Sequence, residues 1–140
     1  FTTRLLIAVD VSGSISDKEI SLFYSVINRF FKYGIQSIDV IQFDTEVKGA
    51  PISMKKAQKS ITVRGRGGTN FHSAIDYFAK FHKLYDGMII LTDGDAPLPM
   101  VSLSQARKML WICNNQGSFE RHYEWMRKIG RCCWIEEDWI

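Results

Sequence analysis

Leu5-Leu6-Ile7-Ala8-Val9 is an apolar run that stops at a carboxylate, Asp10. Ser12 and Ser14 follow on a turn that contains Gly13. A run with no polar alternation reads as a strand buried on both faces, the kind that lies inside a sheet with helices above and below. Asp10 then stands at the carboxyl end of that strand, where open α/β sheets bind ligands. Short oxygen side chains at positions 10, 12 and 14 form a hard donor set, suited to Mg²⁺, Ca²⁺ or Mn²⁺.

The segments that follow give this strand its neighbours. Ser16 and Glu19 frame a capping box. Ile20, Phe23, Tyr24, Ile27, Phe30 and Phe31 recur at helical spacing, so an amphipathic helix is predicted from Asp17 to a stop at Gly34. Ser37–Phe43 predicts a second strand, parallel to the first across the helical crossover. Val47–Ile52, with Gly49 and Pro51, predicts an edge strand. Lys55–Lys59 reads as a short helical or turn segment, and Ser60–Val63 is apolar enough to pack as a strand.

Arg64-Gly65-Arg66-Gly67-Gly68-Thr69-Asn70 is a loop whose glycines open backbone conformations that other residues avoid. Thr69 or Asn70 is expected to cap a helix with Phe71, Ala74, Ile75, Phe78 and His82 on its apolar face. Met88–Leu91 predicts another doubly buried strand, running into Thr92-Asp93-Gly94-Asp95. Val101–Ala106 predicts a short helix, Met109–Cys113 a strand and Asn114–Ser118 a polar loop. Phe119–Lys128 predicts part of a helix, Arg131–Ile135 the last strand, and Glu136–Asp138 an acidic exposed tail. The alternation predicts an α/β fold, Rossmann-like and doubly wound. Its sheet is mostly parallel with one antiparallel edge strand, and helices cover both faces.

Composition removes several classes of function. The net charge of +3 gives no basis for nucleic-acid or membrane binding. No apolar run approaches the roughly 20 residues of a membrane span, and no secretory signal pattern is visible. The chain opens at Phe1, just before a core strand, so residues 1–140 are expected to form one domain of a longer protein. Cys113, Cys132 and Cys133 are odd in number, and Cys113 and Cys132 lie in apolar runs, which predicts reduced structural thiols and a cytoplasmic setting. Neither a C-x-x-C nor a paired histidine spacing for zinc is present.

The hard donors fall on three separated segments: Asp10, Ser12 and Ser14 after the first strand, Thr69 after the glycine loop, and Asp93 after the later buried strand. In this order, Asp10-x-Ser12-x-Ser14, Gly-Gly-Thr69 and Thr-Asp93-Gly resemble the metal-ion-dependent adhesion site of von Willebrand factor A (VWA) domains. The resemblance covers nearly the whole chain. The strand end FDTEV at Phe43–Val47 and the loop GRGGTNF at Gly65–Phe71 further resemble the C-terminal VWA-like domain of bacterial predicted metal-dependent peptidases. The resemblance implies that Ser12, Ser14 and Thr69 bind the cation through their hydroxyls, with Asp10 and Asp93 acting largely through water. It also implies a bound Mg²⁺, with Mn²⁺ or Ca²⁺ as substitutes, and a protein partner that supplies an Asp or Glu. The same resemblance implies an AAA-type ATPase as the expected partner, with any peptidase chemistry upstream. The adhesion-type C-terminal switching helix is not evident.

Enzymatic alternatives fail at the residue that would do the chemistry. A phosphatase using Asp10 needs a second carboxylate two residues on, where Ser12 stands. A hydrolase elbow, G-x-S-x-G, lacks its first glycine because Asp10 occupies it. A P-loop needs Gly-Lys-Ser/Thr, not Gly-Gly-Thr69. The domain itself is therefore expected not to be an enzyme. Asp44 and Asp95 read as solvated turn residues, His72 as a surface or capping residue, and His82 and His122 have no visible partner. Arg64 and Arg66 either attract an acidic partner or solvate the loop. Trp111, Trp134 and Trp139 read as core or edge packing.

Overall fold

Alternate residues of the first strand go to opposite sides of one sheet, which divides the interior in two. A computed structural model describes residues 3–58 and 62–139. Strand β1 spans Arg4–Asp10, helix α1 Asp17–Phe30, β2 Ser37–Phe43, β3 Val47–Met54 and α2 His72–Lys80. They are followed by β4 Gly87–Thr92, α3 Leu103–Ala106, β5 Met109–Cys113, α4 Gln116–Met126 and β6 Arg131–Trp134. The strand order is β3-β2-β1-β4-β5-β6, with every pairing parallel except the antiparallel β2–β3 edge. This is the α/β arrangement expected.

Leu6 and Ala8 face one core with Phe71, Phe78, Ile90 and Trp111. Ile7 and Val9 face the other with Phe23, Ile27, Leu91 and Ile112. The chain leaves β1 toward β2 and β3 on one side, then returns to β4 on the other. The order therefore reverses between β1 and β4, and the carboxyl ends of those two strands are the place where open α/β sheets bind ligands. Their register sets Val9 against Leu91, so the residues that follow, Asp10 and Thr92-Asp93, leave the sheet side by side.

The helices follow the sequence with local differences. The Ser16 hydroxyl accepts from the Glu19 N–H and the Glu19 carboxylate from the Ser16 N–H, completing the capping box. The last turn before Gly34 tightens to a 3₁₀ turn, Phe31–Tyr33, and Gly34 ends it at φ 89°. The regular turns of α2 run from His72, and Phe71 before it already has helical φ and ψ but caps nothing. The cap is Asn70, as expected: its side-chain oxygen accepts the His72 N–H at 2.8 Å. Phe71 is packed in the core against Trp111, with Phe43 and Trp125 alongside. His82 lies beyond α2 in an exposed 3₁₀ turn, not on the apolar face. Helix α4 starts earlier than expected, because the Asn115 side chain accepts from the Ser118 N–H and caps it.

Lys55–Gln58 is not helical, and Thr62 and Val63 are not in a strand; Lys59, Ser60 and Ile61 lie outside the described residues. Trp111 is fully buried, whereas Trp134 and Trp139 are half-buried at the margins of the two cores. Among the described residues, no helix is long and apolar enough to cross a membrane.

The three cysteines are free. Burial is the first cause that pushes the Cys113 thiol up to about 12 and Cys133 to about 11, with neighbouring thiols adding to it; Cys132 is raised by burial as well. The thiolate is the reactive form. At pH 8 the folded protein should therefore react with iodoacetamide far more slowly than the urea-unfolded chain at all three positions, as mass spectrometry would report. Rapid modification of folded Cys113 would contradict this burial.

Candidate metal centre

The site begins where β1 stops being apolar. Asp10 is fully buried at the end of the strand. Its Oδ1 accepts from the Ser12 N–H at 2.9 Å and from the Ser12 hydroxyl at 2.6 Å, folding the chain back in an Asx-type turn. Its Oδ2 accepts from the Thr92 hydroxyl at 2.6 Å. Ser12 Oγ lies 3.3 Å from Ser14 Oγ, and the Ser14 hydroxyl donates to Asp93 Oδ2 at 2.9 Å. The Gly94 N–H is bound by Thr92 Oγ1 at 3.0 Å and the Asp95 N–H by Asp93 Oδ1 at 2.9 Å. One chain of hydroxyls and carboxylates thus runs Thr92–Asp10–Ser12–Ser14–Asp93. It passes from the fully buried Asp10 to the exposed Ser14.

Burial is the largest influence on Asp10 and raises its pKa. Hydrogen bonds from Ser12 and Thr92 oppose that rise, and the nearby Asp93 charge adds to it. Among the described residues, no Lys, Arg or His forms an ion pair with Asp10 or Asp93. Two carboxylates and two serine hydroxyls converging without a protein cation make a donor set that fits a hard divalent ion. Among the described residues, no three His, Cys, Asp or Glu side chains gather around a common point. Any cation held here would therefore rely on hydroxyls as much as on carboxylates.

Thr69 reaches the same end of the sheet by its loop. The Gly67 carbonyl accepts the Gly13 N–H at 2.8 Å, joining the glycine loop to the Asp10–Ser14 turn. The half-buried Thr69 makes no side-chain hydrogen bond to Asp10, Ser12, Ser14 or Asp93 among the described residues. Four of the five expected residues are thus joined directly, and the fifth lies on a loop tied to their turn two residues earlier, through Gly67.

Several neighbours differ from the sequence reading. Asp44 is not a solvated turn residue: it is buried, and its carboxylate binds the Gly67 N–H at 3.0 Å. Burial would raise its pKa, but the backbone N–H groups of Gly67, Glu46 and Thr45, with Lys48, outweigh that and lower it. Arg66 does more than solvate the loop. It adopts φ 85°, donates to the Ile15 carbonyl at 2.6 Å and stands 3.7 Å from Asp17. His122 has partners after all, Asp95 Oδ1 at 2.6 Å and the Trp125 indole N–H at 3.0 Å. Because Nδ1 accepts from Trp125, the Nε2 proton is the one donated to Asp95. His122 also crowds Gly94, where an added Cβ would meet its ring at 2.5 Å. His72 is exposed on the first turn of α2. Thr92 was legible as part of Thr-Asp-Gly, yet only the fold shows its hydroxyl on Asp10.

The Asp10 shift fixes a sign for stability. A raised folded-state pKa adds stability that is complete below the ordinary value of 3.8 and is lost as the pH climbs through the folded value. Asp10→Asn carries no charge at any pH. In urea melts with chelator, wild-type stability relative to Asp10→Asn should therefore rise as the pH is lowered from neutral toward 4. A difference that stays constant with pH would show that Asp10 is not held in this way.

The fold recurs in solved structures. The VWA2 paralog of ArnB from Sulfolobus acidocaldarius superposes with a TM-score of 0.68 at 17% identity, covering 96% of this chain and 42% of that one. BatB from Bacteroides thetaiotaomicron gives 0.64 at 12% identity, covering 96% and 90%. An aerotolerance-related membrane protein from Bacteroides fragilis gives 0.63 at 12% identity, covering 96% and 92%. In sequence, the chain is 26% identical over 131 residues to an uncharacterized protein of Thermotoga maritima; the match covers 94% of this chain and spans about a third, 32%, of that relative. The model of the VWA-like domain family (DUF2201) matches residues 5–128, and the chain belongs to that family.

Proposed function

We propose that this domain is a metal-dependent protein-binding module. Ser12, Ser14 and Thr69 would hold a divalent cation, Mg²⁺ or its substitutes Mn²⁺ and Ca²⁺, with Asp10 and Asp93 acting mainly through water. The observation that carries the reading is the unbroken hydroxyl–carboxylate chain from Thr92 to Asp93, which surfaces at Ser14. When bound, the cation supplies an electrophile that draws an anionic oxygen from outside. Neutral hydroxyl donors leave its charge less compensated than carboxylates would. An Asp or Glu of a partner protein meets that demand, and an AAA-type ATPase in the cytoplasm is the partner class we favour. In this reading the domain serves a longer protein that carries peptidase chemistry elsewhere. VWA-like domains often mediate protein interactions, which agrees with the reading.

The arrangement argues against Asp10 as a nucleophile. Both of its oxygens are engaged, by Ser12 and Thr92, and the residue has no exposed surface. Calorimetric titration of Mg²⁺ and Mn²⁺ into the wild type should give weak binding that is lost in both Asp10→Ala and Ser12→Ala. Equal heats from all three proteins would sink the proposal. Metal-dependent turnover of generic phosphate or ester substrates, abolished by Asp10→Ala, would replace it with the enzymatic reading.

A further inference from the structure

The loop that carries Thr69 is folded around a carboxylate. Asp44, directly after β2, is 3% exposed. Its Oδ2 accepts the Gly67 N–H at 3.0 Å, and its backbone carbonyl accepts the Asn70 N–H at 2.8 Å. Those bonds fall on either side of Gly68-Thr69 and so fix the path of Thr69. A second bond from the Glu46 N–H, at 3.3 Å to Oδ1, and Lys48 Nζ at 3.6 Å hold the carboxylate itself.

The surrounding glycines are shaped to this anion. A Cβ on Gly67 would stand 3.0 Å from Asp44 Oδ2, and one on Gly65 would stand 3.0 Å from both that oxygen and Val11 Cγ2. Gly67 is the shared node. Its N–H is held by Asp44, while its carbonyl holds Gly13 in the middle of the Asp10–Ser14 turn at 2.8 Å. Gly13 is packed as closely, since a Cβ there would lie 3.2 Å from the Arg66 carbonyl.

We propose that Asp44 is a positioning residue for the metal centre: enclosed by the glycine loop, its carboxylate sets Thr69 against the Asp10–Ser14 turn. This rests on the metal-binding reading above. Removing the carboxylate frees the Gly67 N–H, and with it the Thr69 segment that follows. The bond to Gly67 carries the positioning, so an amide that turns its oxygen to that N–H keeps most of it and gives up the longer 3.3 Å bond from Glu46.

The test is Mn²⁺ titration calorimetry, with thermal melts, on the wild type, Asp44→Ala, Asp44→Asn, Thr69→Ala and the Asp44→Ala/Thr69→Ala double variant. Asp44→Ala should weaken Mn²⁺ binding by about 10- to 100-fold, the usual cost of losing a group that orients metal ligands. Asp44→Asn, which keeps an oxygen for Gly67, should recover most of that loss. The double variant should bind no more weakly than Thr69→Ala, because Asp44 acts through Thr69. Tyr85→Phe, which deletes a hydroxyl bound to Asp39, should lower the melting temperature and leave Mn²⁺ affinity unchanged.

Unchanged affinity in Asp44→Ala, or losses that multiply in the double variant, would overturn the assignment while leaving the metal site intact. A wild type that binds no Mn²⁺ would instead overturn the metal reading itself. Should Asp44→Ala not fold, Asp44→Ser takes its place, since its hydroxyl is polar but too short to reach the Gly67 N–H; full Mn²⁺ affinity in that variant would overturn the assignment.

Discussion

A strand buried on both faces can offer polar groups only at its ends, and β1 sets the rest of this molecule around that restriction. Its interior side chains are divided between two cores, so helices must cover both sides of the sheet. Its pairing with β2 on one side and β4 on the other creates the reversal of strand order. The only polar side chain β1 can place at the carboxyl edge of the sheet is therefore the one that ends it, Asp10. Ser12 meets Asp10 because the chain folds back directly after β1, and Thr92 because β4 ends at the same level.

The balance of charge at this point is unusual for an interior. A buried carboxylate is normally neutralised by a cation or satisfied by several donors. Asp10 takes the second course, with donors from Ser12 and Thr92, while Asp93 keeps a like charge nearby. Asp44 also takes the second course, with donors from the loop and Lys48 at its edge. The two acids differ in outcome: burial dominates at Asp10, and backbone donors dominate at Asp44.

The order of the strands in the sheet comes from the fold, but the strands and their succession along the chain were legible because apolar runs, a capping box and Gly34 each carry a local signal. The same holds for Asp10, Ser12, Ser14 and Asp93, which lie where a periodic pattern breaks. What was not legible depends on contacts between distant segments. Asp44 follows a strand in the way a solvated turn acid does, and only the return of the glycine loop encloses it. His122 pairs with Asp95, 27 residues away, and nothing near either residue announces the other. The start of α2, by contrast, was legible because Asn70 caps it through a bond two residues on, a local signal. Helix α4 was cut short because Gly117 in its first turn masked the Asn115 cap.

The bond from Ser14 to Asp93 spans 79 positions of chain, and that from Thr92 to Asp10 spans 82. Neither can form in a partly folded chain in which β1 has paired only with β2. Closing so long a loop costs more chain entropy than pairing β1 with β2, so these bonds depend on the non-local joining of the sheet. The hydroxyl–carboxylate chain therefore exists only once both halves of the sheet have joined. A ligand that recognises it would select fully folded molecules and add to their stability by mass action. The seam between β1 and β4 is thus the place where the two halves of the chain are fastened and, in the reading proposed above, the place where a partner would meet the finished fold.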